Sequence, residues 1–283
     1  MIPRTNSANI TALLVNINTE TGDFHRDARS LPALRCLSWL AIQHQSTGNE
    51  AMSIPFSNIK GLLFDKDGTL FDFQKSWSDW CFRFIHKISP DPQTVTALSS
   101  ALGFDLETRA FHPESAVIAG TPQDTVDAVA SVMPKLDSDQ AKDLIIASSA
   151  EDFQVPVTPL RPLLVGLIEQ GLTLGIATND AESVARVHME QFELIDLFRF
   201  ISGYDSGFGA KPAPGQMQEF MRATKLAPEQ TIMIGDSTHD LEAGRAAGMF
   251  TLGVLTGVAR EPALAPYADM VVQDISVLPD LFS

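Results

Sequence analysis

The 283 residues carry 35 acidic against 20 basic side chains, a formal charge of −15 at pH 7, with no basic stripe for a polyanion to settle on. That excludes nucleic acid and anionic membrane surfaces as expected partners, while 45% hydrophobic against 19% charged residues is the balance of a globular protein with a sizeable core. Two cysteines, Cys36 and Cys81, are too few for a disulfide framework or a cysteine zinc site and suit a reducing compartment, so the expected location is cytoplasmic.

Residues 1–55 are neutral by count: Arg4, Arg26, Arg29 and Arg35 balance Glu20, Asp23, Asp27 and Glu50, which leaves the whole net charge to residues 56–283. The stretch is rich in Asn, Ser and Thr without sustained periodicity, which predicts a mostly disordered extension with a short helix over 31–43. Its weak apolar patch at 10–17 lacks the basic start and cleavage site of a signal peptide. Met52 stands just before the first convincing strand, and the functional chain is expected to begin near it.

An apolar run at 59–64 predicts the first strand, ending in Asp65. From 73 to 157 the strand pattern disappears. Trp77, Cys81, Phe84 and Ile88 recur at helical spacing, and 95–102, 122–133 and 138–153 read as further helices. The prediction is a helical cap over 73–157, inserted into an α/β core made of 56–72 and 158–283. Strand and helix then alternate. A helix over 161–170 stops at Gly171, a strand over 172–177 ends at Thr178, and Asp180 can cap a helix running to about Phe192. A strand at 198–201, a helix at 214–224, a strand at 231–234 ending in Gly235-Asp236, a helix at 238–247 and strands at 250–255 and 270–272 complete the set. Apolar strands alternating with amphipathic helices predict an α/β fold, a Rossmann-like parallel sheet covered on both faces.

Asp65 and Asp67, Thr178, Lys211 and Asp236 all fall at or near predicted strand ends. In an open parallel sheet ligands bind beyond those ends, so groups far apart in the chain can meet there. Carboxylates with one lysine and a hydroxyl suit Mg²⁺ together with a phosphate; without a cation the carboxylates would repel each other and an anionic substrate. Singly the features are weak: Asp65 to Gly68 could be a surface turn, Thr178 an ordinary strand end, Lys211-Pro212 an exposed loop. Asp240 completes a helix-opening Ser-x-x-Asp with Ser237, compatible with a cap and with a place in the site. His112 and His239 have no partner at metal-ligand spacing. Order and spacing together carry the reading.

These motifs resemble those of the haloacid dehalogenase-like (HAD) hydrolase superfamily, above all its phosphoglycolate phosphatase-type members with a helical cap after the first strand. Asp65-Lys66-Asp67-Gly68-Thr69-Leu70 is similar to the first motif, Thr178-Asn179 to the second, Lys211-Pro212 to the third and Gly235-Asp236-Ser237-Thr238-His239-Asp240 to the fourth. The resemblance implies Asp65 as the nucleophile that forms an aspartyl-phosphate, and Asp67 as the acid, then base, for the leaving alcohol and the water. It implies Mg²⁺ on Asp65, the Asp67 backbone carbonyl and Asp236, with Asp240 nearby. Thr178 and the Asn179 amide would hold phosphate oxygens, and Lys211 would offset charge on the phosphoryl group. Lys66 is a minor departure, since strand alternation would point it away from both aspartates.

A halide leaves without a proton and an alkoxide does not, so Asp67 favours phosphatase or phosphomutase chemistry over dehalogenation. The expected function is Mg²⁺-dependent hydrolysis of a small phosphorylated metabolite, phosphoglycolate first. A sugar phosphomutase resembling β-phosphoglucomutase and a non-catalytic binding protein on the same fold are the alternatives. Residues 109–115 are expected to join two cap helices and to offer Arg109 and His112 as carboxylate or sugar contacts.

Overall fold

The computed structural model describes residues 54–112, 115–119 and 122–283. The expected disordered extension, its short helix and the start near Met52 lie outside the described residues. Six strands form one parallel sheet in the order β5 (Phe200–Ser202), β4 (Thr173–Ala177), β1 (Gly61–Phe64), β6 (Thr231–Gly235), β7 (Phe250–Val254), β8 (Met270–Val272). β1 is central and buried along its length, pairing Leu62 with Leu174 on one side and Ile232 on the other. The chain moves outward from β1 in both directions, so the crevice beyond the ends of β1, β4 and β6 is the switch point where such sheets bind ligands.

Alternation along β1 explains why both faces are covered. Leu62 and Phe64 enter one apolar cluster with Leu164, Leu167 and Ile234, while Leu63 enters another with Met217, Phe220 and Met233. The first cluster packs α6 (Leu160–Glu169) and α7 (Glu182–Gln191) on the sheet; the second packs α8 (Gly215–Thr224) and α9 (Thr238–Ala246).

Between β1 and α6 lies a helical segment: α1 (Phe73–Ile88), α2 (Pro92–Ala101), α3 (Ala116–Ala119), α4 (Pro122–Val132) and α5 (Ser138–Ala150). Asp72, Asp91 and Asp137 open α1, α2 and α5 by accepting a backbone N–H three residues on. Trp80, Cys81, Phe84, Leu98 and Val129 form a third cluster belonging to these helices. The expectation that strands vanish here needs correction. β2 (Phe104–Asp105) and β3 (Ala110–Phe111) pair antiparallel, and the Phe104 and Phe111 rings pack at 5.0 Å. Strands two residues long leave no alternation to detect. Among the described residues no helix is long and apolar enough to cross a membrane.

Candidate active site

β1 delivers Asp65 to the crevice, and the Asp65 N–H still bonds to Ile234 O at 2.8 Å, so the carboxylate is anchored at the last rung of the sheet. The chain then bends sharply: Gly68 has φ 86°, and its N–H donates to Phe71 O at 2.7 Å. Lys211 arrives from the loop after β5. Its Nζ stands 2.6 Å from Asp65 Oδ1, 2.6 Å from Asp240 Oδ1 and 2.8 Å from Ala177 O, with the side chain only 3% exposed. Asn179 fixes that loop, accepting Lys211 N–H at 2.8 Å and donating to Lys211 O at 3.0 Å. The Asn179 side chain thus places the lysine, with one N–H still to donate.

Asp236 follows β6, and Asp240 sits one turn into α9. Ser237 caps that helix, while Asp240 Oδ2 accepts from Ser237 N–H at 3.0 Å and from its hydroxyl at 2.7 Å. Its other oxygen faces Lys211, so Asp240 serves the helix end and the site together. Asp65, Asp236 and Asp240 bring one carboxylate oxygen each within 4.8 Å of one another, all buried.

Burial is the largest influence on Asp65 and lifts its carboxyl to about 7 against the pull of Lys211, with Asp240 and Asp67 adding to the rise. Asp236 is raised well above the usual range, by burial first and then by Asp240 and Asp65. Lys211 stays charged, because the two carboxylates outweigh its burial. Such a set of crowded, hard oxygen donors fits Mg²⁺. The space supports this: a Cβ on Gly68 or Gly257 would collide with the Asp236 carboxylate, so both glycines keep that group open.

Lys66 corrects an expectation, for it does not point away from the aspartates. β1 ends at Phe64, and Lys66 O already accepts Leu70 N–H at 3.0 Å and Phe71 N–H at 3.1 Å, so strand alternation no longer governs the side chain. Lys66 is wholly buried, with Nζ 2.7 Å from the Asp67 carboxylate, 3.2 Å from Asp180 Oδ2 and 3.2 Å from His188 Nδ1. His188 Nε2 lies 2.9 Å from Ser149 O near the end of α5, which places the imidazole proton on Nε2 and leaves Nδ1 to accept from the lysine. Burial opposes the Lys66 charge, yet Asp67 and Asp180 prevail and hold it charged. Asp180 is therefore not the cap of α7, which begins after Ala181 without a side-chain cap. Its Oδ1 accepts Ala181 N–H at 2.8 Å and its Oδ2 turns to Lys66.

A family model described as haloacid dehalogenase-like hydrolase matches residues 62–254. The chain belongs to this family. A phosphoglycolate phosphatase of Pseudomonas putida is 26% identical over 220 residues, 77% of this chain and 77% of that one. A phosphoglycolate phosphatase of Rhodospirillum rubrum is 27% identical over 224 residues, 78% of this chain and 90% of that one. Among solved structures, L-2-haloacid dehalogenase from Xanthobacter autotrophicus superposes with a TM-score of 0.54 at 18% identity, covering 79% of this chain and 98% of that one. At that identity the likeness speaks for the fold.

In this hydrolase a cavity of about 400 Å³ joins Asp65, Asp67, Thr178, Asn179, Lys211 and Asp236 to the helical segment opposite. Thr178 accepts Asp180 N–H at 3.0 Å, which leaves its own hydroxyl proton to donate. Arg109 does not join them. It occupies the turn between β2 and β3 at φ 51°, half exposed, its guanidinium 3.8 Å over the Phe82 ring and 3.8 Å from Asp79. Packed against α1 in this way, Arg109 is not among the residues that line the cavity, and exposed His112 likewise lies outside the cavity wall. Sequence reasoning missed Asp180 and His188 around Lys66, and Lys142 and Tyr204 in the cavity wall. Asp180 alone carried a readable signal, a third carboxylate just past a strand that ends in the site.

Proposed function

We propose that the chain is a Mg²⁺-dependent phosphomonoester hydrolase working through a phosphorylated Asp65. The observation that supports this most is the pairing of Asp65 with Lys211 at 2.6 Å in a cavity that Asp67 also lines. Asp65 Oδ attacks phosphorus, and the bond from phosphorus to the ester oxygen breaks as the new one forms. Asp67 donates its proton to the departing oxygen, giving the free alcohol. It then takes a proton from the water that attacks the aspartyl-phosphate, which releases inorganic phosphate and restores Asp65. Lys211 offsets the negative charge of the transferring group, and Thr178 donates to one of its oxygens.

Asp65, Asp236 and the Asp67 backbone carbonyl would hold Mg²⁺, with Asp240 beside them. When bound it supplies the positive charge that lets carboxylates and a phosphate dianion share one crevice. Phosphoglycolate, named in the curated relatives, is the first substrate to try. The phosphomutase alternative is separated by product, an isomeric sugar phosphate in place of free phosphate. Phosphate release from p-nitrophenyl phosphate with Mg²⁺, lost by ~10⁴-fold or more in a folded Asp65→Asn variant, is the expected result. Release that survives in Asp65→Asn rejects the covalent route; none from the native chain rejects the reading altogether.

A further inference from the structure

The cavity has two chemically different ends. One is the carboxylate and lysine cluster; the other is built from Trp77, Val117, Val126, Ile145, Ile146 and Val258. Among the described lining residues, the lysine away from the carboxylates is Lys142, whose Nζ sits 5.3 Å over the Tyr204 ring. Thr125, Tyr204 and the indole N–H of Trp77 add a few polar atoms to this wall, but a polyol spread over its carbon would lose more water than so few partners return. A two-carbon acid would leave most of the carbon surface wet.

We infer that the alcohol part of the substrate is apolar, an aralkyl or branched-alkyl phosphate monoester, seated with its phosphate on Lys211 and its carbon body against α1, α4 and α5. This rests on the phosphatase reading and narrows it. The test is kcat/KM for primary phosphate esters with leaving alcohols of similar acidity: 2-phenylethyl phosphate, phosphoglycolate and glucose 6-phosphate, with p-nitrophenyl phosphate as the activity control. The aralkyl ester should lead by ~10-fold or more, the discrimination a hydrophobic pocket gives for the carbon it covers. Ile145→Asn should shrink that ratio severalfold. Phosphoglycolate or the sugar ester turning over as well or better overturns this inference and leaves the phosphatase reading standing. No turnover of any ester, the control included, overturns both.

A separate observation concerns Lys66. Its ammonium faces both Asp67 carboxylate oxygens at 2.7 Å and is itself held by Asp180 and His188, so one buried and doubly anchored cation fixes the Asp67 carboxylate. The geometry points to Lys66 as a positioning residue for Asp67, holding its carboxylate so that an oxygen meets the leaving group. Substitution should then matter only when the leaving group needs a proton. In Lys66→Met, kcat/KM for 2-phenylethyl phosphate should fall ~10 to 100-fold and that for p-nitrophenyl phosphate less than ~3-fold, because nitrophenolate departs unassisted and this constant reports the step that phosphorylates Asp65. The double variant Lys66→Met/Asp180→Asn removes one charge of each sign and carries the same comparison if the single variant does not fold. Equal losses on both esters, or loss on neither, overturn the assignment.

Discussion

At the rim of the sheet Asp65, Lys211, Asp236 and Asp240 are almost hidden from water and crowd within one another's reach, whereas across the cavity Trp77, Val117, Ile145 and Ile146 are half-buried and offer carbon. The rim is electrostatically tight: each charge is tolerated because of another, so removing one strands its partners. The wall is held by packing, where one side chain replaces another at small loss. On the proposed reading, reaction chemistry sits where substitution is least tolerable, and choice of substrate where it is most so.

Removing the Lys211 charge tests the rim most severely. Lys211→Met leaves Asp65 and Asp240 buried without their cation and should lower stability by about 3–5 kcal/mol in urea unfolding in metal-free buffer. A variant as stable as the native chain would show the rim to be no tighter than the wall.

His188 extends the comparison to pH. Burial first, then the Lys66 charge, depress its imidazole from 6.5 to about 4. Between these values the unfolded chain binds a proton that the folded chain refuses, so stability is full above pH 6.5 and is lost as pH falls toward 4. The loss should reach about 3 kcal/mol, and His188→Gln should flatten that part of the profile.

Metal removal should act on the rim alone. Mg²⁺ at a hundred times its dissociation constant should stabilise by about 2.7 kcal/mol, read as a higher melting temperature that EDTA reverses and Asp236→Asn abolishes. The smallest effect belongs to the wall: Ile146→Ala should lower stability by about 1 kcal/mol while phosphate release from p-nitrophenyl phosphate persists.

Much of the rim could be read from the chain because parallel strands announce themselves. Apolar runs ending in Asp65, Thr178 and Asp236 place those residues at the sheet's carboxyl edge by topology alone, and Ser237 with Asp240 announces a helix start. Lys66 was misread because the alternation rule was carried one residue too far, past the point where the backbone folds onto Leu70 and Phe71. Asp180 looked like a cap because a carboxylate before a helix usually is one; a buried lysine distant in sequence claims it instead. Arg109 was read into a helix–helix connection because strands two residues long, such as those on either side of it, leave no pattern in the sequence. The wall's composition was visible, but not which faces of α1, α4 and α5 turn toward the aspartates, since that depends on how the helices are mounted.

That mounting is narrow. The chain leaves the sheet and returns to it side by side: Asp72 N–H donates to Val155 O at 2.8 Å, Val157 N–H to Leu70 O at 3.1 Å, and Phe71 bridges Pro156 between them. The covalent part of that mounting is this one antiparallel pair of threads, while α5 also rests on α7, where His188 Nε2 donates to Ser149 O and the Gln191 amide to Ala150 O. Two such adjacent ends form a natural splice point, where a different set of helices could be exchanged, and a different alcohol recognised, without disturbing a single rung of the parallel ladder.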